Sequence, residues 1–271
     1  MRIHVLHATT YRYATPAKYV IQKLRLTPRS HDGQHVRRWR IEVDHDCKLS
    51  ERWDAFGNIV HTFTLMGSVE GLRITVDGDV ETEDTSGVVA GAVERLPLSL
   101  YLRETALTQP DATLEEYARQ FAGRADRLEL LHELLADLHK RMTFDTSRTD
   151  SGTSAAEAFR LGHGVCQDFT HIFIGAARSI GIPARYVGGY FLHGETTATG
   201  DAGHAWAETY VPDLGWVAFD PANGVCANAN YVRVAVGLDY LGAAPVRGSQ
   251  AGGSAEELGV RVDISSAGPQ Q

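Results

Sequence analysis

The chain has 271 residues, of which 43% are hydrophobic and 22% charged, so it is long enough for one large or two modest soluble domains. Its formal net charge of −8 argues against nucleic acid and anionic membranes as partners. No apolar run approaches the roughly 18–20 residues that a membrane-spanning helix needs, and residues 1–7 alternate instead of forming the apolar stretch of a signal peptide.

Residues 1–85 have the alternating apolar pattern of β-strands. The strands are predicted at 2–10, 37–43, 59–65 and 72–76. Asp77-Gly78 is predicted to turn the chain as in a hairpin. We expect an N-terminal β-sandwich-like domain that acts as a scaffold, with substrate docking as the alternative role.

Five acidic residues begin at that predicted turn, and they raise the question of a calcium site. They are Asp77, Asp79, Glu81, Glu83 and Asp84. Their spacing does not match the ligand positions of an EF-hand loop. We therefore expect an exposed, charged strand edge instead.

Residues 86–110, with several glycines and prolines, are predicted to be a connector. A helix is expected to begin at the capping box Thr113-Leu114-Glu115-Glu116. A second helix has a core-facing stripe that consists of Leu128, Leu131, Leu135, Leu138 and Met142. A further capping box, Ser154-Ala155-Ala156-Glu157, predicts a short helix that leads into a glycine-rich turn.

That turn, Gly162-His163-Gly164-Val165-Cys166, is followed by apolar residues at helical spacing up to Gly181-Ile182-Pro183, a typical helix end. The pattern puts Cys166 in the first turn of a helix. Free N–H groups and the positive end of the helix dipole favour a thiolate there. Asp168, in the same turn, is predicted to cap the helix or to pair with Arg185.

Two downstream stretches offer partners for a nucleophilic cysteine. His204 begins a predicted strand that runs to Val211, and Asp220 ends a second strand that starts at Trp216. An antiparallel pair of these strands would bring the two side chains onto neighbouring strands. Cysteine, histidine and aspartate in this order suggest an acyl-transfer triad, with Cys166 as nucleophile, His204 as base and Asp220 as its orienting acid.

Several neighbouring residues are assigned structural roles. Trp206 and Trp216 are expected in the core or in its partly buried walls, with the shaping of a substrate channel as the alternative. The glycine-punctuated loop at 193–203 is either a lid over the site or a simple surface loop. Strands are also predicted at 184–191, 231–236 and 258–264, with a Gly/Ser/Ala-rich segment at 248–255 before the last of them.

The three stretches together resemble the transglutaminase-like superfamily, in particular its bacterial members that are described as predicted cysteine proteases. The matching motifs are G-x-C-x-D at 164–168, H-A-W-x-E at 204–208 and G-W-x-x-x-D-P at 215–221. The resemblance implies a papain-like core and the triad Cys166, His204 and Asp220. It also implies a family N-terminal β-domain, which Leu24-Arg25-Leu26-Thr27-Pro28-Arg29 and Phe56-Gly57-Asn58 resemble.

The three cysteines, Cys47, Cys166 and Cys226, are an odd number at no metal-site spacing, so a reducing cytoplasm with free thiols is expected. Cys47 and Cys226 are predicted to be small buried hydrophobic residues. A zinc site is the main metal alternative. It would use His163, Cys166, His171 and His204, whose spacing fits no common structural-zinc pattern. We expect no metal and no cofactor.

The predicted fold is therefore α+β. An N-terminal β-domain at 1–85 and a connector at 86–110 precede a transglutaminase-like catalytic core at 111–236 and a C-terminal extension with a terminal strand at 237–271. The expected function is hydrolysis of peptide or amide bonds, through a thioester, on a peptide or protein substrate. The alternatives are transfer of a glutamine acyl group to an amine and a catalytically idle binding module. The oligomeric state cannot be read from the sequence.

Overall fold

A computed structural model describes residues 1–194, 198–200 and 203–266 of the chain. It has 21% helix and 46% strand, with antiparallel sheets, and the predicted α+β class is confirmed. Within the described residues, no helix is long and apolar enough to cross a membrane.

Seven strands of the described chain form the first sheet, which we call the N-terminal sheet. They are Arg2–Thr27 (β1), Gln34–Val43 (β2), Ser50–Trp53 (β3), Ile59–Thr82 (β4), Ala198–Gly200 (β9), Val246–Ala251 (β14) and Ser254–Ser266 (β15). The main order is β2-β4-β1-β15-β9, with β14 also paired to β1 and β3 to β4. Both ends of the sequence thus contribute to one sheet. Along most of β1 every second residue is buried, as the period of a half-buried strand requires.

The second sheet, which we call the six-stranded sheet, has six strands among the described residues. They are Val88–Val89 (β5), Ala184–Phe191 (β8), His204–Val211 (β10), Gly215–Asp220 (β11), Val225–Cys226 (β12) and Tyr231–Gly237 (β13). Its order is β12-β11-β10-β8-β13, with β5 paired to β11. A separate parallel pair consists of Thr143–Phe144 (β6) and His163–Gly164 (β7).

The helices lie beside the six-stranded sheet. They are Ala112–Arg119 (α1), Arg127–Arg141 (α2), Ala155–Leu161 (α3), Cys166–Ser179 (α4) and Tyr240–Ala243 (α5), with a 3₁₀ helix at Leu98–Leu102. Helix α4 is buried over most of its length, and it contacts β10, α3 and α1. One hydrophobic core contains residues of α4 together with Ile3 and Val262 of the N-terminal sheet, so the two sheets pack as one body.

The predicted hairpin turn at Asp77-Gly78 is wrong, because β4 continues through it to Thr82. The reason is the Trp39 side chain on the neighbouring strand. A Cβ atom on Gly78 would lie 2.1 Å from the Trp39 ring, so glycine is needed for the ring to cover the strand. The glycine therefore reflects close packing between strands and not a turn.

The acidic residues 77–81 do not lie on a strand edge either, since β4 pairs with β1 on one side and β2 on the other. They are partnered by cations. Asp77 and Asp79 both accept hydrogen bonds from Arg38, at 2.6 and 3.2 Å, and Asp79 also contacts His4. The charges are thus used in cross-strand pairs.

The helix predicted at Thr113 begins earlier, because Asp111 is its N-cap and accepts hydrogen bonds from the backbone of Thr113 and Leu114. The capping box at Ser154 and Glu157 is confirmed. The leucine stripe of α2 is buried or partly buried as predicted.

Two segments predicted to be irregular contain strands. Residues 198–200 of the predicted loop form β9 against β15. Residues 195–197 and 201–202 lie outside the described residues, and the lid prediction falls in part on them. The Gly/Ser/Ala-rich segment 248–255 includes the end of β14 and the start of β15.

Candidate active site

The glycine-rich turn delivers Cys166 as the first residue of α4, as predicted. Gly162 ends α3 in the left-handed conformation, at φ 68°, which glycine adopts without strain. A Cβ atom on Gly164 would lie 2.6 Å from the Cβ atom of Asp168, so the turn has no room for a side chain there. Cys166 is half-buried.

Asp168 stabilises the start of this helix. Its Oδ2 atom accepts a hydrogen bond from the backbone N–H of Val165 at 2.8 Å and from the Thr149 hydroxyl at 2.6 Å. Burial raises the pKa of its carboxyl, although both hydrogen bonds oppose this. The capping prediction for Asp168 is therefore confirmed. The alternative pairing with Arg185 is wrong, since Arg185 binds Glu94 and Glu208 instead.

His204 and Asp220 lie on neighbouring antiparallel strands, β10 and β11. The Nε2 atom of His204 is 2.5 Å from Oδ2 of Asp220. Asp220 is fully buried, while 15% of the His204 side chain is exposed. This geometry leaves Nδ1 of the imidazole free to face another group.

That group is Cys166, which lines the same cavity as His204. Burial alone would lower the pKa of His204, but its hydrogen bond to Asp220 and the neighbouring Cys166 outweigh burial and raise the pKa to about 10. The imidazole is thus a cation at neutral pH, beside a sulfur atom and a carboxylate. The structure brings together the three side chains that the sequence singled out.

Two residues that the sequence did not reveal complete the surroundings of Asp220. The Tyr231 hydroxyl and the Asn223 amide each donate to its Oδ2 atom, both at 2.7 Å. Its Oδ1 atom accepts from the backbone N–H groups of Ala222 and Asn223. Burial opposes the charge on Asp220, yet the hydrogen bonds from His204, Tyr231 and Asn223 lower its pKa. The run Asp220-Pro221-Ala222-Asn223 is typical of an Asx turn, and that signal could have identified Asn223.

The remaining members of the zinc alternative do not join this group. His163 lies near Asp145, with 3.7 Å between Nδ1 and Oδ2. His171 is fully buried, and its Nε2 atom accepts a hydrogen bond from the backbone of Tyr240. No group of three or more His, Cys, Asp or Glu side chains is placed to hold a metal in the described part of the chain.

The other cysteines and the two tryptophans pack against hydrophobic cores. Cys47 and Cys226 are each half-buried, which is less than the full burial expected. Burial raises the pKa of both thiols, that of Cys226 to about 11. Trp206 and Trp216 are buried as predicted. The guanidinium carbon of Arg185 lies over the Trp216 ring, 3.8 Å from its centroid.

Cys166 and His204 line a cavity of about 250 Å³ between the two sheets. The N-terminal sheet supplies one side, including Thr9 and Tyr11 of β1. The six-stranded sheet supplies the other, including Tyr186 of β8. Cys166 and His204 therefore line a partly open cavity large enough for part of a substrate.

Two family models match the chain. The transglutaminase-like superfamily matches residues 115–221, and the bacterial transglutaminase-like N-terminal region matches residues 3–81. An uncharacterized protein of Mycobacterium leprae is 29% identical over 97% of this chain and 98% of its own length. An uncharacterized protein of Mycobacterium tuberculosis is 30% identical over 91% of this chain and 87% of its own length.

The fold has a counterpart among solved structures. A proposed cysteine protease from Cytophaga hutchinsonii superposes with a TM-score of 0.75 at 19% identity, covering 96% of this chain and 90% of its own. This similarity supports a papain-like core with an N-terminal β-region. The chain belongs to the transglutaminase-like superfamily and has the N-terminal region of its bacterial members.

Proposed function

We propose that this protein is a cysteine-dependent acyl-transfer enzyme that hydrolyses peptide or amide bonds through a thioester on Cys166. The observation that carries the proposal is the group Cys166, His204 and Asp220, in which His204 is hydrogen-bonded to Asp220 and lines one cavity together with Cys166. Membership of the transglutaminase-like superfamily supports it. The name of the Cytophaga hutchinsonii protein points to the same chemistry.

In the first half-reaction, the Cys166 thiolate attacks the substrate carbonyl carbon and forms a C–S bond. The tetrahedral intermediate collapses as the C–N bond breaks. His204, a cation because its pKa is about 10, gives its proton to the departing amine. The products of this half-reaction are an acyl thioester on Cys166 and a free amine.

In the second half-reaction, water attacks the thioester carbonyl while the neutral His204 accepts a proton from it. The C–S bond then breaks, the carboxylic acid leaves and the thiolate–imidazolium pair is restored. Atoms balance over the two steps without an oxidant or a reductant. We assign no metal and no cofactor to either step.

Asp220 has the role of orienting His204 in this mechanism. Its bond to Nε2 fixes the ring so that Nδ1 faces the sulfur atom, and its charge stabilises the imidazolium. The backbone N–H of Cys166, in the first turn of α4, is assigned to the oxyanion, since first-turn N–H groups have no intrahelical acceptor.

A second candidate function, transamidation, uses the same residues with an amine in place of water. The superfamily name favours it as the alternative. A catalytically idle binding module is the third reading, and the raised pKa of His204 argues against it because a scaffold has no use for a buried imidazolium beside a thiol. We expect a peptide or protein substrate, no nucleic acid or membrane partner, and a cytoplasmic location.

The experiment is a peptide-library digest read by mass spectrometry, with and without a primary amine. Hydrolysis should give new carboxyl ends, and transamidation should give amine-tagged acyl groups only when amine is added. Cys166→Ala is the control and should give neither product. Wild-type protein that produces no more of either product than this control would exclude the proposed enzyme.

A further inference from the structure

The cavity beside Cys166 has two walls that come from different sheets. On the N-terminal sheet, Thr9 lies opposite Val260 and Tyr11 opposite Leu258 in the β1–β15 register. Residues opposite each other in an antiparallel pair project from the same face, and all four line the cavity. Strands β1 and β15 thus form one wall of the site.

On the other wall, β8 presents Tyr186 and Tyr190, with Gly188 between them on the same face. A Cβ atom on Gly188 would have only the Ala243 carbonyl oxygen near it, at 3.6 Å, which is an ordinary contact. At Gly189 a Cβ atom would meet the Val232 carbonyl oxygen at 2.1 Å. Gly188 is therefore the position on β8 where a missing side chain leaves room in the cavity.

The lining carries little net charge away from Cys166 and His204. Burial lowers the pKa of His7 to about 4, so this histidine is neutral, and its ring nitrogens bond to Tyr190 and Thr9 at 2.9 and 3.0 Å. Of the described lining residues, only Arg25 has a permanent charge, and its Nε atom pairs with Asp54 at 3.2 Å. Its Nη1 atom is buried without a hydrogen-bond partner among the described residues, so an anionic group would find a partner only there. Any other ligand charge away from His204 would lose its hydration without gaining a partner.

The size of the cavity limits the group that it can take. An apolar cavity of about 150 Å³ in another protein holds a benzene molecule. The cavity of about 250 Å³ here has room for a phenyl ring and several further atoms. A single methyl group would leave most of this space unfilled and would bury little apolar surface.

We propose that this cavity, which we call the acyl pocket, binds an uncharged side chain of aromatic or large aliphatic size on the acyl group that is transferred to Cys166. This inference rests on the proposed function and adds its substrate class. The N-terminal sheet, through Thr9, Tyr11, Leu258 and Val260, takes part in selecting the substrate.

The test uses three p-nitrophenyl esters, of acetic acid, 3-phenylpropanoic acid and succinic acid. Acylation is measured from the release of p-nitrophenolate and from the mass of the peptide that contains Cys166. Each rate is then divided by the rate at which the same ester reacts with a small free thiol, which corrects for the intrinsic reactivity of the ester. The phenylpropanoyl group should transfer about 10- to 100-fold faster than the acetyl or the negatively charged succinyl group.

Substitutions in the two walls should change this preference in opposite directions. Gly188→Val fills the acyl pocket and should lower the phenylpropanoyl-to-acetyl rate ratio at least about tenfold. The matched control is Gly259→Val, because a Cβ atom there meets nothing within 4 Å, and it should leave the ratio unchanged. If Gly188→Val does not fold, Val260→Ala remains as the second variant, and it should raise the relative rate of a bulkier 2-naphthylacetyl ester.

The outcomes separate the two proposals. Equal corrected rates for the three esters, or a succinyl group that reacts fastest, would overturn the acyl pocket while leaving Cys166 as nucleophile. The acyl pocket would also be overturned if Gly188→Val and Gly259→Val changed the phenylpropanoyl-to-acetyl rate ratio by the same factor. If no ester adds mass to the Cys166 peptide and the rates equal those of Cys166→Ala, the proposed function fails and the acyl pocket fails with it.

Discussion

At the scale of single residues, the carboxylate of Asp220 connects several side chains of the site. Its Oδ2 atom accepts hydrogen bonds from His204, Asn223 and Tyr231. Asp220→Asn keeps the shape but removes the charge that holds and stabilises the imidazolium. Loss of this charge costs about 10⁴-fold in a serine-protease triad. A thiolate–imidazolium pair depends less on the third member, so we expect a smaller loss here, with kcat/KM about 10²–10³-fold below that of the wild type.

The measurement is turnover of a fluorogenic amide by wild type and variant, with circular dichroism to establish that both are folded. A variant that folds normally and retains turnover within about twofold would show that Asp220 does not orient the imidazole.

The second residue-scale prediction ranks the three thiols. Limiting iodoacetamide at about pH 6 should label Cys166 first, because it lies at the start of α4 beside the His204 cation. Cys226, whose pKa burial raises to about 11, and Cys47 should react slowly. Peptide-mapped alkylation rates provide the measurement, and activity should fall in proportion to Cys166 labelling.

His204→Ala tests the cause of this reactivity. Its removal takes away the cation, so labelling of Cys166 at acidic pH should slow. In the wild type the cation should persist until the pH approaches about 10, the pKa of His204. Similar rates for all three thiols, with no effect of His204→Ala, would argue against a catalytic ion pair.

How much of the site could be predicted depends on how local each signal is. Cys166 was identifiable because the glycine turn, the helix start and the helix stop lie within one short stretch. Tyr231 was not, because its role depends on the side chain reaching Asp220 from another part of the sheet. A tyrosine in an alternating strand gives no indication of such a partner.

At the scale of elements, Glu208 joins three strands of the six-stranded sheet. It is fully buried on β10, and it accepts hydrogen bonds at 2.6 Å from Arg185 of β8 and Arg233 of β13. Glu208→Gln should destabilise the fold by about 3–5 kcal/mol, since it leaves two guanidinium groups without their shared anion. Urea unfolding measures this, and Glu42→Gln, in an exposed pair with Arg40, is a control that should change stability little.

The same cluster gives a pH dependence. Burial would raise the pKa of Glu208, but Arg233 and Arg185 outweigh it and lower the pKa from 4.5 to about 2. A depressed carboxyl pKa stabilises the fold above the unfolded value and loses this contribution as the pH falls. The difference in stability between wild type and Glu208→Gln should therefore be full above about pH 5 and shrink between pH 4.5 and 2. A constant difference over this range would contradict the prediction.

The elements that the sequence predicted well are those with local signals. The capping box at Ser154 predicted the start of α3, because the cap and its partner are three residues apart. The prediction that a strand ends before Asp77-Gly78 was wrong. The glycine makes room for a tryptophan ring on a neighbouring strand and does not mark a turn. Residues 198–200 pair with β15, more than fifty residues away, and their own sequence does not indicate this.

At the scale of the whole molecule, β15 holds the two ends of the chain together in one sheet. Val262 on this strand is 1% exposed and lies opposite His7. Val262→Asp should lower the free energy of unfolding by several kcal/mol, because it buries a carboxylate beside a neutral imidazole. Arg261→Gln, on the exposed face of the same strand, is the control and should have little effect. Equal urea midpoints for the two variants would mean that β15 contributes little to the fold.

The pairing of Ile3 with Ser266 has a consequence for the order of events during synthesis. Such a contact closes a loop of almost the whole chain, and it cannot form on the ribosome until residues 254–266 have emerged. Until then β1 lacks its neighbour, and Leu258 and Val260 are missing from the cavity. Under the proposed function, a nascent chain can thus have Cys166 in place and still lack one wall of its cavity, so we expect it to become competent for the reaction only after β15 docks.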